Sequence, residues 1–225
     1  ITDRTRQLRD LAHWKDPAEM VDAIAQQFRL DKWADQPFRV EVWIEKDALV
    51  GVFERVCQSL DVPLLSCRGY TSQSEMWVGA QRFRGRRKGK RTQQTVVLHF
   101  GDHDPSGIDM SRDIRERLEL FGAPMELRRL ALNMDQVEQY RPPPNPAKET
   151  DSRLAGYIQT YGDKSWELDA LEPDVLAELV RREVETLVEA RAWNAASRQE
   201  AAQRKLLRAV SERWDDVADY IGEGR

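Results

Sequence analysis

The stretch Val96-Val97-Leu98-His99-Phe100-Gly101-Asp102-His103-Asp104-Pro105-Ser106-Gly107 decides how the rest of the chain is read. Its first half is the most apolar run present and suits a strand buried on both faces. Gly101 lets the backbone turn, and Pro105-Ser106 opens a helix. The chain thus leaves a strand, passes two carboxylates and enters a helix within six residues. Val40-Glu41-Val42-Trp43-Ile44-Glu45-Lys46 repeats the plan, with Glu45 at the strand end and a helix from about residue 47 to 60. Val50, Phe53, Val56 and Leu60 supply the apolar stripe of that helix.

Between these strands, Val62 to Cys67 reads as a short second strand, with Pro63 tolerable only at its start. Gly69 permits a tight turn, and Thr71 or Ser72 caps a helix to about Phe83, with Glu75 at capping-box spacing from Ser72. After the helix from Pro105 to about Phe121, residues 125–132 read as a fourth strand that carries Arg128 and Arg129 near its middle. The alternation of strand and helix predicts an α/β fold: a four-stranded parallel sheet flanked by helices, with right-handed crossovers. Asp16-Pro17 opens a helix before the sheet. Trp33, in the connector that follows, is expected to pack that helix onto the sheet. The proline-rich 141–146 segment is the best candidate boundary. Beyond it lie a short helix before Tyr161 and two long ones, about 173–193 and 197–221. The expected division is 1–37 helical, 38–132 the α/β domain and 133–225 a helical extension.

In an open parallel sheet, ligands bind at the carboxyl ends of strands. If the first and third strands are neighbours, Glu45, Asp102 and Asp104 meet at one rim. Clustered carboxylates repel unless a cation lies among them, and an oxygen-only set favours Mg²⁺ or Mn²⁺. Two cations, or one cation with Glu45 moving a proton, would each serve phosphoryl displacement. The plainer alternative is that Asp102 and Asp104 merely cap the next helix. Lys46 is placed to neutralise a phosphate oxygen or to face water. His99 is expected in the core, and His103 is a weak candidate base. Asp109 reads as a solvated acid.

The net charge of −4 disguises an uneven distribution. Residues 82–91 hold seven bases (Arg82, Arg84, Arg86, Arg87, Lys88, Lys90 and Arg91) and no acid. Taking those seven charges from −4 leaves −11 for the remainder. With two glycines, the run reads as a mobile loop near the acidic rim that, together with Arg68, grips DNA phosphates without reading sequence. Charged residues make up 33% of the chain and no apolar run could cross a membrane. No signal-peptide pattern opens it. Cys57 and Cys67 have no zinc-motif spacing and are expected as buried, reduced thiols in a cytoplasmic protein.

Glu45 after strand one, Gly69 after strand two and Asp102-His103-Asp104-Pro105-Ser106-Gly107 after strand three resemble the Toprim domain over about residues 38–132. The nearest likeness is to the catalytic subunit of topoisomerase VI, its meiotic relatives and the Toprim nucleases. The resemblance implies that Glu45, Asp102 and Asp104 bind Mg²⁺ (or Mn²⁺) for DNA strand cleavage, with Glu45 also acid or base. Toprim nucleases that complete a second metal site with later acids make Glu167 and Asp169 an additional pair; the alternative is a cap for the helix near Pro173. Topoisomerase VI-type enzymes need a tyrosine on a separate winged-helix domain, and about 37 residues before the first strand are too few for one. Hydrolysis by water is therefore the expected chemistry, with a partner subunit or missing domain as the route to anything more. The rival expectations are a non-catalytic DNA-binding Toprim module and, on the Asp-x-Asp alone, a nucleotide-sugar transferase.

Overall fold

The computed structural model describes residues 11–84, 87–88, 91–147 and 150–223. In chain order the elements are α1 (Pro17–Gln27), β1 (Phe38–Ile44), α2 (Val50–Ser59), β2 (Leu64–Ser66), α3 (Gln73–Arg84), β3 (Arg87–Lys88), β4 (Arg91–Thr92), β5 (Gln94–Phe100), α4 (Pro105–Leu120) and β6 (Met125–Ala131). Then come α5 (Met134–Tyr140), β7 (Asn145–Pro146), α6 (Leu154–Tyr161), β8 (Lys164–Ser165), α7 (Pro173–Leu187), α8 (Ala190–Glu212) and α9 (Trp214–Glu223). They form two compact units, one of Lys32–Trp193 and one of Ile1–Asp31 with Asn194–Arg225.

The larger unit is α/β. Its sheet runs β2-β1-β5-β6, all parallel. Both faces are covered, so the strands alternate between two apolar clusters rather than between core and water. Val40, Val42 and Ile44 of β1 join Val96, Leu98 and Phe100 of β5 on one face, against Phe53 and Val56 of α2 and Leu176, Val180 and Val184 of α7. Trp43 and Val97 point the other way, into Met76, Ala80 and Phe83 of α3 and Ile114 and Leu118 of α4. Such two-sided burial is what a β-branched, near-continuous apolar run requires.

The order places a topological switch between β1 and β5. From β1 the chain moves outward through α2 to β2, then returns through α3 to the other side of β1 at β5. Successive right-handed crossovers in opposite directions put α2 and α3 on opposite faces. They also leave a crevice at the carboxyl ends of β1 and β5, where open α/β sheets hold their ligands. Ile44 pairs with Phe100, so Glu45 and Gly101 leave the sheet side by side. A bulge at the end of β6 sets Phe100 opposite Ala131 while His99 stays opposite Arg129.

Four expectations change here. The basic run is no simple loop, because Arg87–Lys88 and Arg91–Thr92 pair as antiparallel strands. Nor does it lie near the acidic rim. Helix α3 runs back against the strand direction, and β5 starts at Gln94, opposite Phe38. The hairpin therefore sits at the amino edge, about 20 Å, one seven-residue strand, from the carboxylates. The 141–146 segment lies inside the larger unit, where Asn145–Pro146 pairs with Lys164–Ser165. The last two expected helices are three: Val188 is extended (φ −86°, ψ 122°) and ends α7, and a second break at Arg213 separates α8 from α9.

Trp33 is buried in the larger unit, donates from Nε1 to the Leu60 carbonyl (3.0 Å) and meets Trp193 edge to face. The smaller unit holds itself through polar links between α1 and α8. Leu30 N–H donates to Glu200 (2.9 Å), Arg204 Nε to the Phe28 carbonyl (2.8 Å) and Ser211 Oγ to the Ala18 carbonyl (2.7 Å). Asp16 caps α1 by accepting from Glu19 N–H, as Asp16-Pro17 led one to expect. Among the described residues, no helix is long and apolar enough to cross a membrane.

Candidate active site

Each side chain at the rim arrives by a separate route. Glu45 follows β1 and turns its Oε2 onto the Asp102 backbone N–H, 2.9 Å away. The residue between the strand and that N–H is Gly101. A Cβ there would lie 2.8 Å from Glu45 Oε2, so only glycine leaves room for the carboxylate. Asp102 Oδ1 accepts from Leu168 N–H (2.7 Å) and lies 3.4 Å from Lys46 Nζ.

Leu168 comes from the far end of the unit. His103 and Trp166 exchange backbone hydrogen bonds in an antiparallel bridge (2.8 and 2.9 Å). Residues 166–168 thus run alongside 102–104, past the end of the sheet proper, and a 3₁₀ turn at Leu168–Ala170 follows. That bridge delivers Glu167 and Asp169 to the rim. Both bind Lys46 Nζ, Asp169 at 2.8 Å and Glu167 in closer contact. One ammonium therefore stands among three carboxylates, those of Asp102, Glu167 and Asp169.

Asp104 behaves differently. Its Oδ1 accepts from Gly107 N–H (2.6 Å) and Ser106 Oγ (2.8 Å), which makes it the N-cap of α4. The capping alternative thus describes Asp104, but not Asp102. Gly107 is forced by the same turn, since a Cβ on it would sit 2.2 Å from the Asp102 carbonyl oxygen.

Arg129 lies behind this rim, on β6. Its guanidinium donates to the carbonyls of Gly101 (3.1 Å), Asp102 (2.6 Å), Gly107 (2.9 Å) and Leu132 (3.2 Å), and to Ser111 Oγ (2.8 Å). It clasps the 101–107 turn through the main chain. Sequence reading noted Arg129 without giving it a role; the available signal was an arginine inside a strand bound for the sheet interior. The role of the 166–168 backbone left no such signal.

Electrostatics follow from crowding. Burial, then the Asp102 charge, raises Glu45 from its ordinary 4.5 to about 7; Asp104 adds to the rise and Arg129 opposes it. Burial also raises Asp102, against the Leu168 N–H bond and Lys46. Burial works against the charge on Lys46, but its bonds to Asp169 and Glu167 prevail and hold it above the usual lysine range. Burial lowers Arg129 to about 10, against the pull of the three acids. A carboxyl that titrates near neutrality in a cleft is a mark of functional sites.

The other expected site residues fall elsewhere. His103 is buried with Nδ1 2.8 Å from Tyr157 Oη, and burial lowers it to about 4, so it is a neutral structural imidazole rather than a base. His99 is a core residue against Ser111 Oγ (2.9 Å), and burial lowers it to about 3. Arg82 is committed to the interior, where Nε and Nη2 both hold the buried Glu41 carboxylate at 2.8 Å. Arg84 donates to the Gly122 carbonyl (3.2 Å) and covers the Trp77 ring. Arg68 pairs with Asp47 beside the rim (3.3 Å). Arg87, Lys88 and Arg91 belong to the hairpin at the opposite edge, while Arg86 and Lys90 lie outside the described residues. Asp109 is no solvated acid but the partner of Tyr70, Arg112 and Arg153. Cys57 and Cys67 are buried free thiols, which burial raises to about 12 and about 11.

Among the described residues, no three acidic, histidine or cysteine side chains converge as a ready-made metal site. The rim's acidic donors are nonetheless all oxygen, and Asp102, Glu167 and Asp169 are each paired with the Lys46 ammonium. Comparison with models of known protein families, with curated proteins and with solved structures finds no match to this chain.

Proposed function

We propose that this chain is a Mg²⁺-dependent, Toprim-type enzyme that hydrolyses or nicks DNA phosphodiester bonds. The observation that carries the reading is the contact between Glu45 and the Asp102 main chain at the switch between β1 and β5. It puts a near-neutral carboxyl beside an ionisable neighbour in the crevice where α/β sheets bind ligands. Glu45 and Asp102 would hold the ion, with Asp104 beside them and Glu167 and Asp169 as outer acids. When bound, Mg²⁺ or Mn²⁺ polarises a phosphoryl oxygen and stabilises the charge that develops on it.

The chain's own groups supply the rest. Oε2 of Glu45 is engaged by the Asp102 N–H, which leaves Oε1 to bind the ion or, when the carboxyl is protonated, to give a proton to a leaving oxygen. Lys46 Nζ is a donor for a phosphate oxygen on the same side of Asp102. Arg129 keeps the 101–107 turn from relaxing as charge changes in front of it. The nucleophile on this reading is water, and two of the five tyrosines are already engaged, Tyr157 with the carbonyls of His103 and Lys164 and Tyr70 with Asp109.

The test is a supercoiled plasmid incubated with the wild type, Glu45→Ala and Asp102→Ala in Mg²⁺ or Mn²⁺. The proposal expects nicking by the wild type and a loss of at least a hundredfold in each variant. Equal nicking by all three, or none by the wild type in either metal, would remove the catalytic reading.

Two observations favour a second reading, a non-catalytic module that holds DNA for a partner subunit. The basic hairpin and the acids occupy opposite edges, and a cation from the chain itself already quiets Asp102. On that reading Arg87→Ala/Arg91→Ala weakens gel-shift binding while Glu45 and Asp102 are dispensable.

A further inference from the structure

Helices α4 and α6 enclose an open groove of about 460 Å³ that the acidic rim does not use. Its α4 wall is one helical face, Pro105, Ile108, Asp109 and Arg112, and its α6 wall includes Tyr157 and Tyr161. We propose that this groove binds a nucleotide of a single-stranded or unpaired DNA segment, with the base on Tyr161 and a phosphate on Arg112 and Arg153. The assignment rests on reading the rim as a phosphodiester site, because it takes the bound strand to continue there.

Three features carry it. The first is position. Asp104 caps α4, and the next residue, Pro105, already lines the groove. The rim and the groove are also two sides of one tripeptide. Asp102 and Asp104 engage the rim, while His103 turns away to meet Tyr161 (ring centroids 4.7 Å, edge to face) and Tyr157 (5.7 Å). His103 thus links the two sites, being next in sequence to Asp102 and in ring contact with Tyr161.

The second feature is chemistry. Tyr161 is propped by two rings, His103 on edge and Tyr157 at 5.1 Å, so a flat aromatic surface is fixed in advance. Bases stack on such rings whatever their sequence. Arg112 and Arg153 are held at one place by a shared carboxylate, Asp109, at 2.6 and 3.0 Å, and are fixed further by Glu116 on Arg112 and Asp151 on Arg153, carboxylates that a bound phosphate has to displace or outcompete. Planar guanidinium groups with a fixed orientation suit phosphate recognition.

The third is size. The groove falls within the range of small-ligand pockets. From Pro105 to Arg112 is seven residues of helix, about 10 Å, which matches a base with its sugar and phosphate rather than a bare anion. An inorganic phosphate would leave the tyrosine wall uncovered, and an uncharged ring would leave the arginines without a partner from the ligand.

The experiment measures binding of dAMP, ribose 5-phosphate and inorganic phosphate to the whole chain by calorimetry in EDTA, so that no metal or turnover is involved. The proposal expects dAMP to bind about tenfold or more tighter than ribose 5-phosphate. Tyr161→Ala should abolish that preference. Thr160→Trp, at an exposed α6 position on the groove, should block dAMP by filling the space, and it covers the case of a Tyr161→Ala protein that fails to fold. Equal binding of dAMP and ribose 5-phosphate, no binding of either, or wild-type dAMP affinity in Thr160→Trp overturns the assignment. Plasmid nicking is scored separately. Nicking without dAMP binding sinks the groove alone, whereas dAMP binding without nicking upholds the groove and sinks the rim.

Discussion

Replacing Glu45 with glutamine should stabilise the protein at alkaline pH, although the residue is proposed as essential. Glutamine keeps the side-chain oxygen that accepts the Asp102 N–H and removes a charge that the site disfavours. The sign follows from linkage. Glu45 has its folded value raised from 4.5 to about 7, so the folded chain holds a proton that the unfolded chain has lost. Stability from that proton is complete below 4.5 and disappears as the pH rises through 7. At about 1.4 kcal/mol for each pH unit, the interval amounts to about 3 kcal/mol. Urea unfolding in EDTA at pH 5 and pH 8 measures it. The wild type should lose much of that amount between the two, and Glu45→Gln should lose markedly less and exceed the wild type at pH 8. Added Mg²⁺ should then raise the wild type by mass action and leave Glu45→Gln nearly unmoved. A wild type no less stable at pH 8, or a glutamine variant weaker there than the wild type, would refute the electrostatic account of the rim.

Gly101→Ala should cut nicking as severely as loss of Glu45, because its Cβ drives Oε2 off the Asp102 N–H; single-turnover rates with intact circular dichroism check it. Arg82→Ala should cost about 3 kcal/mol, the low end for breaking a buried pair, since the buried Glu41 carboxylate loses both bonds from the guanidinium while Arg82 itself keeps one side in water. Urea unfolding reads that change, and a loss below 1 kcal/mol would mean the pair is merely a surface contact. Arg87→Ala/Arg91→Ala should flatten the dependence of log Kd on log salt by up to about 2, with little change in single-turnover nicking at saturating DNA, given the distance from hairpin to rim.

The strands and the rim were legible because their signals are local. Residues 40–44 and 96–100 read as buried strands from β-branched content alone, and the meeting of Glu45 with Asp102 was legible only on the condition that the two strands are neighbours, which their pairing meets. What escaped depends on contacts between distant residues. Nothing near Glu167 and Asp169 says that Trp166 bridges to His103, so their arrival at Lys46 could only be guessed. Arg82 looked like one of seven equivalent bases; its partner, Glu41, lies 41 residues earlier in the middle of β1. The basic hairpin was misplaced for a geometric reason. A helix after a strand returns to the sheet's starting edge, and β3 and β4 follow α3 in the chain before β5 begins there.

Crystals soaked in Mn²⁺ and read by anomalous scattering address the central claim most directly. The account predicts a peak within about 2.2 Å of one Glu45 oxygen and one Asp102 oxygen, with Lys46 moved away from Asp102. A peak bound to Glu167 and Asp169 without Glu45, or no peak at the rim at a Mn²⁺ concentration that supports nicking, would contradict it.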